Sequence, residues 1–137
     1  MVDVFTVAKR KQIMSSIKGR NTSPEKIVRR CLRKLGYSFK KYSEDLPGNP
    51  DIVLKKLRKV IFIHGCFWHS HKNCNRAALP STNKPFWEKK IKGNALRDES
   101  IKRKLWRHGW KILTIWQCRL KNLEKVEKRI NTFIKKR

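Results

Sequence analysis

Acidic side chains are scarce in this sequence. Asp and Glu number 10 against 36 Lys and Arg, a formal net charge of +26. Such a chain repels itself, and a polyanion relieves the repulsion by giving up its condensed counterions. The imbalance points toward nucleic acid, although ribosomal and membrane-surface proteins share it. It also makes any acid in an apolar setting conspicuous. Long apolar runs are missing too, so no stretch predicts a bilayer span. The opening "MVDVFTVAKRKQIM" has no apolar block followed by small residues, which predicts no secretory leader and a cytoplasmic protein. Cysteine is limited to Cys31, Cys66, Cys74 and Cys118. A secreted disulfide fold would carry more of them in a smaller chain. Repeats, low-complexity tracts and long linkers are absent, which predicts one domain over residues 1–137.

What is present reads as alternating helices and strands. "AKRKQIMSSIKGR" has a weak helical pattern through Ile13, Met14 and Ile17. "TSPEKIVRRCLRKLG" predicts a firmer helix, with Thr22 or Ser23 as cap, Pro24 and Glu25 in the first turn, and Gly36 closing it. Its buried stripe runs through Ile27, Val28, Cys31, Leu32 and Leu35, which makes Cys31 a core residue. "YSFKKY" suggests a strand, and "SEDLPGNP" a turn. "DIVL" and "KVIFI" flank "KKLRK" as a buried hairpin. A long helix follows from Pro85 to Gly109, weakened inside by Gly93. "WKILTIW" predicts a third buried strand, and Leu120, Leu123, Val126, Ile130 and Phe133 space a last amphipathic helix. The sum is an α/β or α+β domain, a mixed sheet flanked by helices.

Asp51 opens a buried strand directly after "LPGNP". An aspartate there is commonly a turn residue. A hairpin folded about Leu57 would instead set Asp51 opposite Ile63, beside its backbone carbonyl and next to His64. Carboxylate and carbonyl oxygens are the hard ligands that magnesium accepts. A turn centre shifted by one residue would reverse the faces. A Pro-Asp opening a hairpin strand in a small basic chain resembles the PD-(D/E)XK restriction-endonuclease-like superfamily. The usual acid-x-Lys of the second strand is missing, and "FIHGC" stands in its place.

"HGCFWHSHKNC", residues 64–74, concentrates metal-type ligands. Cys66, Cys74 and a histidine have zinc spacing, and Cys118 after "TIWQ" supplies a fourth ligand from a distant strand end. Spacing leaves His69 and His71 equally suited. The one left free lies near Asp51 through His64 and is a candidate general base. Phe67 and Trp68 either pack as core or, in a ligand-rich loop of a basic protein, wedge between bases.

Taken together, "LPGNPD", "IFIHGCFWHSH", "FWEKK", "N-x-x-RD" and "GWKILTIWQC" resemble the very-short-patch-repair (Vsr) mismatch endonucleases, in order from about Arg10 to Leu120. The resemblance implies a restriction-endonuclease-like fold and an enzyme that nicks duplex DNA 5′ to the thymine of a T:G mismatch left by deaminated 5-methylcytosine. It implies magnesium at Asp51 with the carbonyl of Ile63, His69 as general base, His64 on the attacked phosphate and Glu25 in the same acidic site. It assigns a structural zinc to Cys66, His71, Cys74 and Cys118. Phe67, Trp68 and Trp87 become a wedge from the major groove, Met14 inserts from the minor-groove side, within a DNA-contacting segment 1–20, and Lys90 and Asn94 contact the mispaired bases. A prokaryotic, nucleoid-associated monomer, working beside mismatch-repair proteins and away from membranes, completes the expectation. Gln117 replaces the acid expected before the last zinc ligand, and Ile63 a threonine of some members. Two other readings compete: a restriction-type enzyme cutting both strands, and a zinc-braced DNA-binding module without catalysis.

Overall fold

The computed structural model describes residues 23–41 and 43–136. The expected helix through Met14, and with it the N-terminal DNA-contacting segment, lies outside the described residues. Helix α1 spans Ser23–Lys34. Strand β1 is the pair Lys40–Lys41, β2 spans Ile52–Leu54 and β3 spans Lys59–His64. Helix α2 covers Lys84–Arg107, β4 Lys111–Trp116 and α3 Leu123–Lys135. The strands form one sheet in the order β1-β2-β3-β4. β2 pairs antiparallel with its neighbours, and β4 runs parallel to β3 after the α2 crossover. This is the mixed α/β architecture expected from the sequence.

Helices cover both faces of the sheet. On one, Val28, Cys31 and Leu32 of α1 meet Val126, Ile130 and Ile134 of α3 over Ile52, Ile61, Leu113 and Ile115. On the other, Leu105 of α2 and Trp110 pack on Val53, Val60 and Phe62. Truncating a fully buried member such as Leu32 to alanine would cost about 2–5 kcal/mol. The stripe of α1 is as expected, and Gly36, at φ 85°, lets Tyr37 bond back to the carbonyl of Leu32 at 3.0 Å. That closure needs a left-handed residue, which glycine takes without penalty.

Four expectations need correction. The "YSFKKY" strand shrinks to two exposed lysines at the sheet edge. β4 is the other edge, so its burial alternates and it is half-buried rather than buried. Leu123 is exposed, because Asn122 caps α3 by accepting from the Lys125 N–H, and Ile134 takes the inward place. The hairpin register is shifted by one: Ile52 faces Ile61 and Leu54 faces Lys59. The loop has four residues, a 3-10 turn over Lys55–Leu57 followed by Arg58 at φ 53°. An even loop has its centre between two residues, not on Leu57.

Lys59 fastens the hairpin to the end of α3. Its side chain is buried, and its ammonium donates to the carbonyls of Phe133 at 2.8 Å, Ile134 at 2.6 Å and Lys136. These are carbonyls that a helix end leaves without partners, and a cation there also opposes the negative pole of the helix.

Candidate active site and metal centre

The segment after β3 divides its side chains between two clusters. A turn closes with the His69 N–H on the Gly65 carbonyl at 3.2 Å and the His71 N–H on the Cys66 carbonyl at 3.0 Å. Ser70 and Asn73 stand at φ 53° and 57°, reversing the chain twice. As a result His64 and His69 face one way, and Cys66, His71 and Cys74 the other.

Cys66, His71, Cys74 and Cys118 each offer a ligand atom, all within 4.8 Å of one another. Cys118 arrives from the 3-10 turn that follows β4. Its Sγ lies 3.4 Å from His71 Nδ1, and its backbone N–H donates to Cys66 Sγ at 3.4 Å. Burial lowers the His71 pKa, with Arg119 adding to the effect, which favours the neutral ligand form. Its ring stacks on Trp116 at 4.1 Å. Burial also pushes the Cys66 thiol up to about 11, so a bound cation is what would favour its thiolate. Three thiols and an imidazole are the donors of a soft ion in a closed tetrahedral site.

The second cluster lines a cavity of about 200 Å³ with Asp51, Ile63, His64, His69, Asp98 and Lys102. Its floor is the hairpin, its wall α2. The shifted register leaves Asp51 opposite Phe62 rather than Ile63, and the carboxylate accepts the Ile63 N–H at 2.7 Å instead of lying against that residue's carbonyl by strand pairing. Burial, together with the nearby Glu25 charge, raises the Asp51 pKa to about 6 against that bond. Glu25 is itself buried and lies 3.6 Å from Arg29. Two acids close enough to feel one another on a basic protein suit a hard divalent cation.

His64 and His69 stack face to face, centroids 3.7 Å apart and planes 6° from parallel. Two imidazolium rings in that contact would repel. Burial, His69 and Lys102 lower the His64 pKa to about 3, so His64 is neutral at working pH. His64 Nδ1 is buried without a hydrogen-bond partner among the described residues. The same residue lines the cavity that holds Asp51 and Asp98. His69 Nδ1 lies 2.6 Å from Asp98 Oδ2. That bond fixes the tautomer with the proton on Nδ1 and leaves Nε2 as the basic nitrogen.

Asp98 had no role in the sequence reading, although the "N-x-x-RD" motif contains it. Its signal was helical spacing: Lys90, Asn94 and Asp98 recur every four residues along one side of α2. Lys90 is exposed there, while Asn94 Nδ2 donates to the Trp68 carbonyl at 3.1 Å. Helix α2 thus grips the loop at both Trp68 and His69. Gly48 closes the cavity from the "LPGNP" turn at φ 76°, where a Cβ would meet Ile101 at 2.5 Å. Only glycine fits that position.

Phe67, Trp68 and Trp87 gather with centroids 5.2 to 6.1 Å apart. Phe67 and Trp68 are half-buried, but Trp87 is buried beneath them. The outermost ring is Phe86, 59% exposed and 5.1 Å from Trp87. "PFW" gave no periodic signal to tell which aromatic turns outward.

The sequence model described as DNA mismatch endonuclease Vsr matches residues 2–76. The type II nicking enzyme V.XorIIP of Xanthomonas oryzae pv. oryzae is 39% identical over 98% of both chains. V.NmeAIP of Neisseria meningitidis, also a type II nicking enzyme, is 39% identical over 98% of this chain and 96% of its own. The DNA mismatch endonuclease Vsr of Escherichia coli is 40% identical over 92% of this chain and 80% of its own.

Proposed function

This chain belongs to the Vsr family of DNA endonucleases, and from that premise we propose that it nicks duplex DNA, in one strand, 5′ to the thymine of a T:G mispair left by deamination of 5-methylcytosine. The observation that carries the reading is the His69–Asp98 pair at 2.6 Å, stacked on neutral His64 in the cavity that holds Asp51.

The proposed chemistry is phosphodiester hydrolysis. His69 Nε2 takes a proton from water as the water oxygen bonds to phosphorus and the bond to the leaving oxygen breaks in line. Asp98 holds the ring for that transfer and balances the imidazolium that forms. His64 is the residue proposed to meet a phosphate oxygen. Asp51, with the Ile63 carbonyl as second oxygen and Glu25 nearby, would hold magnesium. When bound, that ion supplies Lewis-acid polarisation of the phosphate and stabilises the leaving oxygen. Zinc is the ion proposed for Cys66, His71, Cys74 and Cys118, where it would tie the loop to the end of β4.

Selectivity is assigned to the aromatics. A mispaired step is weakly stacked, whereas unstacking a matched step costs on the order of a few kcal/mol. Phe67 and Trp68 would enter first, with Trp87 supporting them from below. Lys90 and Asn94 would face the mispaired bases, Asn94 exchanging its bond to Trp68 for one to DNA. The deciding experiment incubates protein, magnesium and a T:G duplex labelled on each strand in turn. A nick in the thymine strand alone is expected. Cleavage of both strands, or of matched duplex equally well, would favour a restriction-type enzyme; tight binding with no metal-dependent cut would leave a DNA-binding module.

A further inference from the structure

A second basic surface lies away from the catalytic cavity. Two adjoining hollows, of about 360 and 410 Å³, run along α3 and share Lys125 and Arg129. Arg119 and Lys121 line the first, and Lys128 and Lys136 the second. Among the described residues, no acid lines either. Of the two acids on α3, Glu127 is turned to Lys34 on α1, at 3.1 Å. Among the described residues, none of these six cations forms an ion pair. Three of them, Lys125, Lys128 and Arg129, lie on α3, Arg119 and Lys121 on the 3-10 turn before it and Lys136 just after it; gathered positive charges repel each other, and an anion is what removes that penalty.

The position of the trough says which anion. β3 and β4 are parallel, and His64 pairs with Trp116 at their C-terminal ends. His64 lines the catalytic cavity on the α2 face. Cys118, two residues past Trp116, lines the first hollow on the α1/α3 face, together with Ile115 and Val126. The first hollow therefore lies at the same end of the sheet as the cavity, on the opposite side of it, and the second runs from there toward the start of β3, where Lys59 meets the end of α3. From Lys125 to Lys136, one residue past the end of α3, the trough runs about 16 Å at the helical rise, or roughly five base pairs at 3.4 Å each.

We propose that this trough binds backbone phosphates of the duplex flanking the cleavage site, so that DNA is held across the end of the sheet from both faces. The proposal rests on the reading of the chain as a duplex-DNA endonuclease. It adds a contact made without regard to sequence, which positions the duplex and carries no mismatch selectivity.

The test is the salt dependence of binding to matched duplex. The variant combining Lys121→Gln, Lys125→Gln and Arg129→Gln spares Arg119, the neighbour of Cys118. If each of the three meets a phosphate, the slope of log K against log salt becomes shallower by about 0.9 per contact, about 2.7 in all. On a duplex cut back to the base pairs at the catalytic cavity, variant and parent should share one slope. The conservative Lys121→Arg with Lys125→Arg should keep the parent slope on the long duplex, and metal content should be unchanged in both variants. An unaltered slope in the Gln variant overturns the proposal. So does an equal change on the short duplex, which would mean a diffuse field rather than contacts. Binding to matched DNA needs neither cleavage nor mismatch recognition. A parent that binds with these slopes but never nicks T:G would therefore refute the proposed activity alone.

Discussion

Two clusters of metal-type residues grow from one loop, and their ligands alternate along it. His64 and His69 belong to one, while Cys66, His71 and Cys74 belong to the other. The thiol-rich cluster is completed by Cys118 from the end of β4, the imidazole cluster by Asp98 from α2 and Asp51 from the hairpin. One is soft and closed on itself; the other is hard, and it lines a cavity with a buried nitrogen left unpartnered. Separation along the chain therefore says little about function here. The element that supplies the last partner decides which cluster each of the loop's histidines joins.

The comparison predicts an asymmetry: the proposed zinc would fix the loop that carries the proposed catalytic residues, whereas zinc binding would not depend on those residues. The largest effect should come from Cys118→Ser. Apparent zinc-binding energies of about 10 kcal/mol or more are known for structural sites, as much as the whole stability of many domains. Purified variant should contain well under the expected one zinc per chain, melt at much lower temperature, and lose nicking as well. Full zinc occupancy would remove Cys118 from the ligand set; lost zinc with normal nicking would uncouple the clusters.

Next in size is His69→Ala, expected to slow single-turnover nicking by about two to four orders of magnitude. Zinc content and melting temperature should stay close to the parent's. A parallel loss of zinc would merge the clusters into one unit. Asp51→Asn belongs beside it, abolishing metal-dependent cleavage while leaving duplex binding largely intact.

Asp98→Asn should also slow nicking, since it acts through the orientation of His69 and the charge that forms on it. Its signature is a changed pH-rate profile with little change in KM, as an asparagine can hold the ring but cannot offset its charge. An unchanged profile would mean that Asp98 only shapes the wall of the cavity.

The smallest effect concerns acid. The folded-state Asp51 pKa, about 6, lies above the ordinary value of 3.8. Folded protein therefore holds that proton more tightly than unfolded protein. This contribution to stability is fully present below the unfolded value and is lost as pH rises through about 6. Magnesium needs the carboxylate, so its affinity should run the other way, weakening by about tenfold per pH unit below 6. Thermal melts with and without magnesium from pH 5 to 7.5 should display the two trends crossing. Magnesium affinity that is flat across the range would place the ion elsewhere.

Legibility in the sequence followed the same division. The cluster of Cys66, His71, Cys74 and Cys118 was legible because cysteine and histidine are few and metal-type ligands follow a limited set of spacings. The choice between His69 and His71 was open, since both sit at usable distances in sequence; the turn through Ser70 puts them on opposite sides. Asp51 was visible as an acid opening an apolar strand. Its partner atom on Ile63 was not, because a left-handed Arg58 carries none of the glycine or asparagine signature of such a turn. Asp98 resembled any solvated helix acid until α2 was laid beside the loop. The α1 stripe and the β2–β3 pairing, which are local, were read from periodicity. The edge status of β4 depends on which strand lies beyond it, and nothing within "WKILTIW" records that.

Lys59 ties the order of synthesis to the completion of the sheet. Its ammonium sits at the start of β3, and the carbonyls that satisfy it are 74 to 77 residues further along. At about 5–20 residues per second, a ribosome needs roughly 4–15 s to make that interval. Until then the charge has only water for a partner, and burying it would leave an ammonium unpaired. The hairpin that carries Asp51 is thus held unfinished until residues 133–136 exist. Chains truncated after residue 132 should be cut by protease within β2–β3, and chains extended past 136 should resist; the final turn of α3 times the maturation of a site on the far side of the sheet.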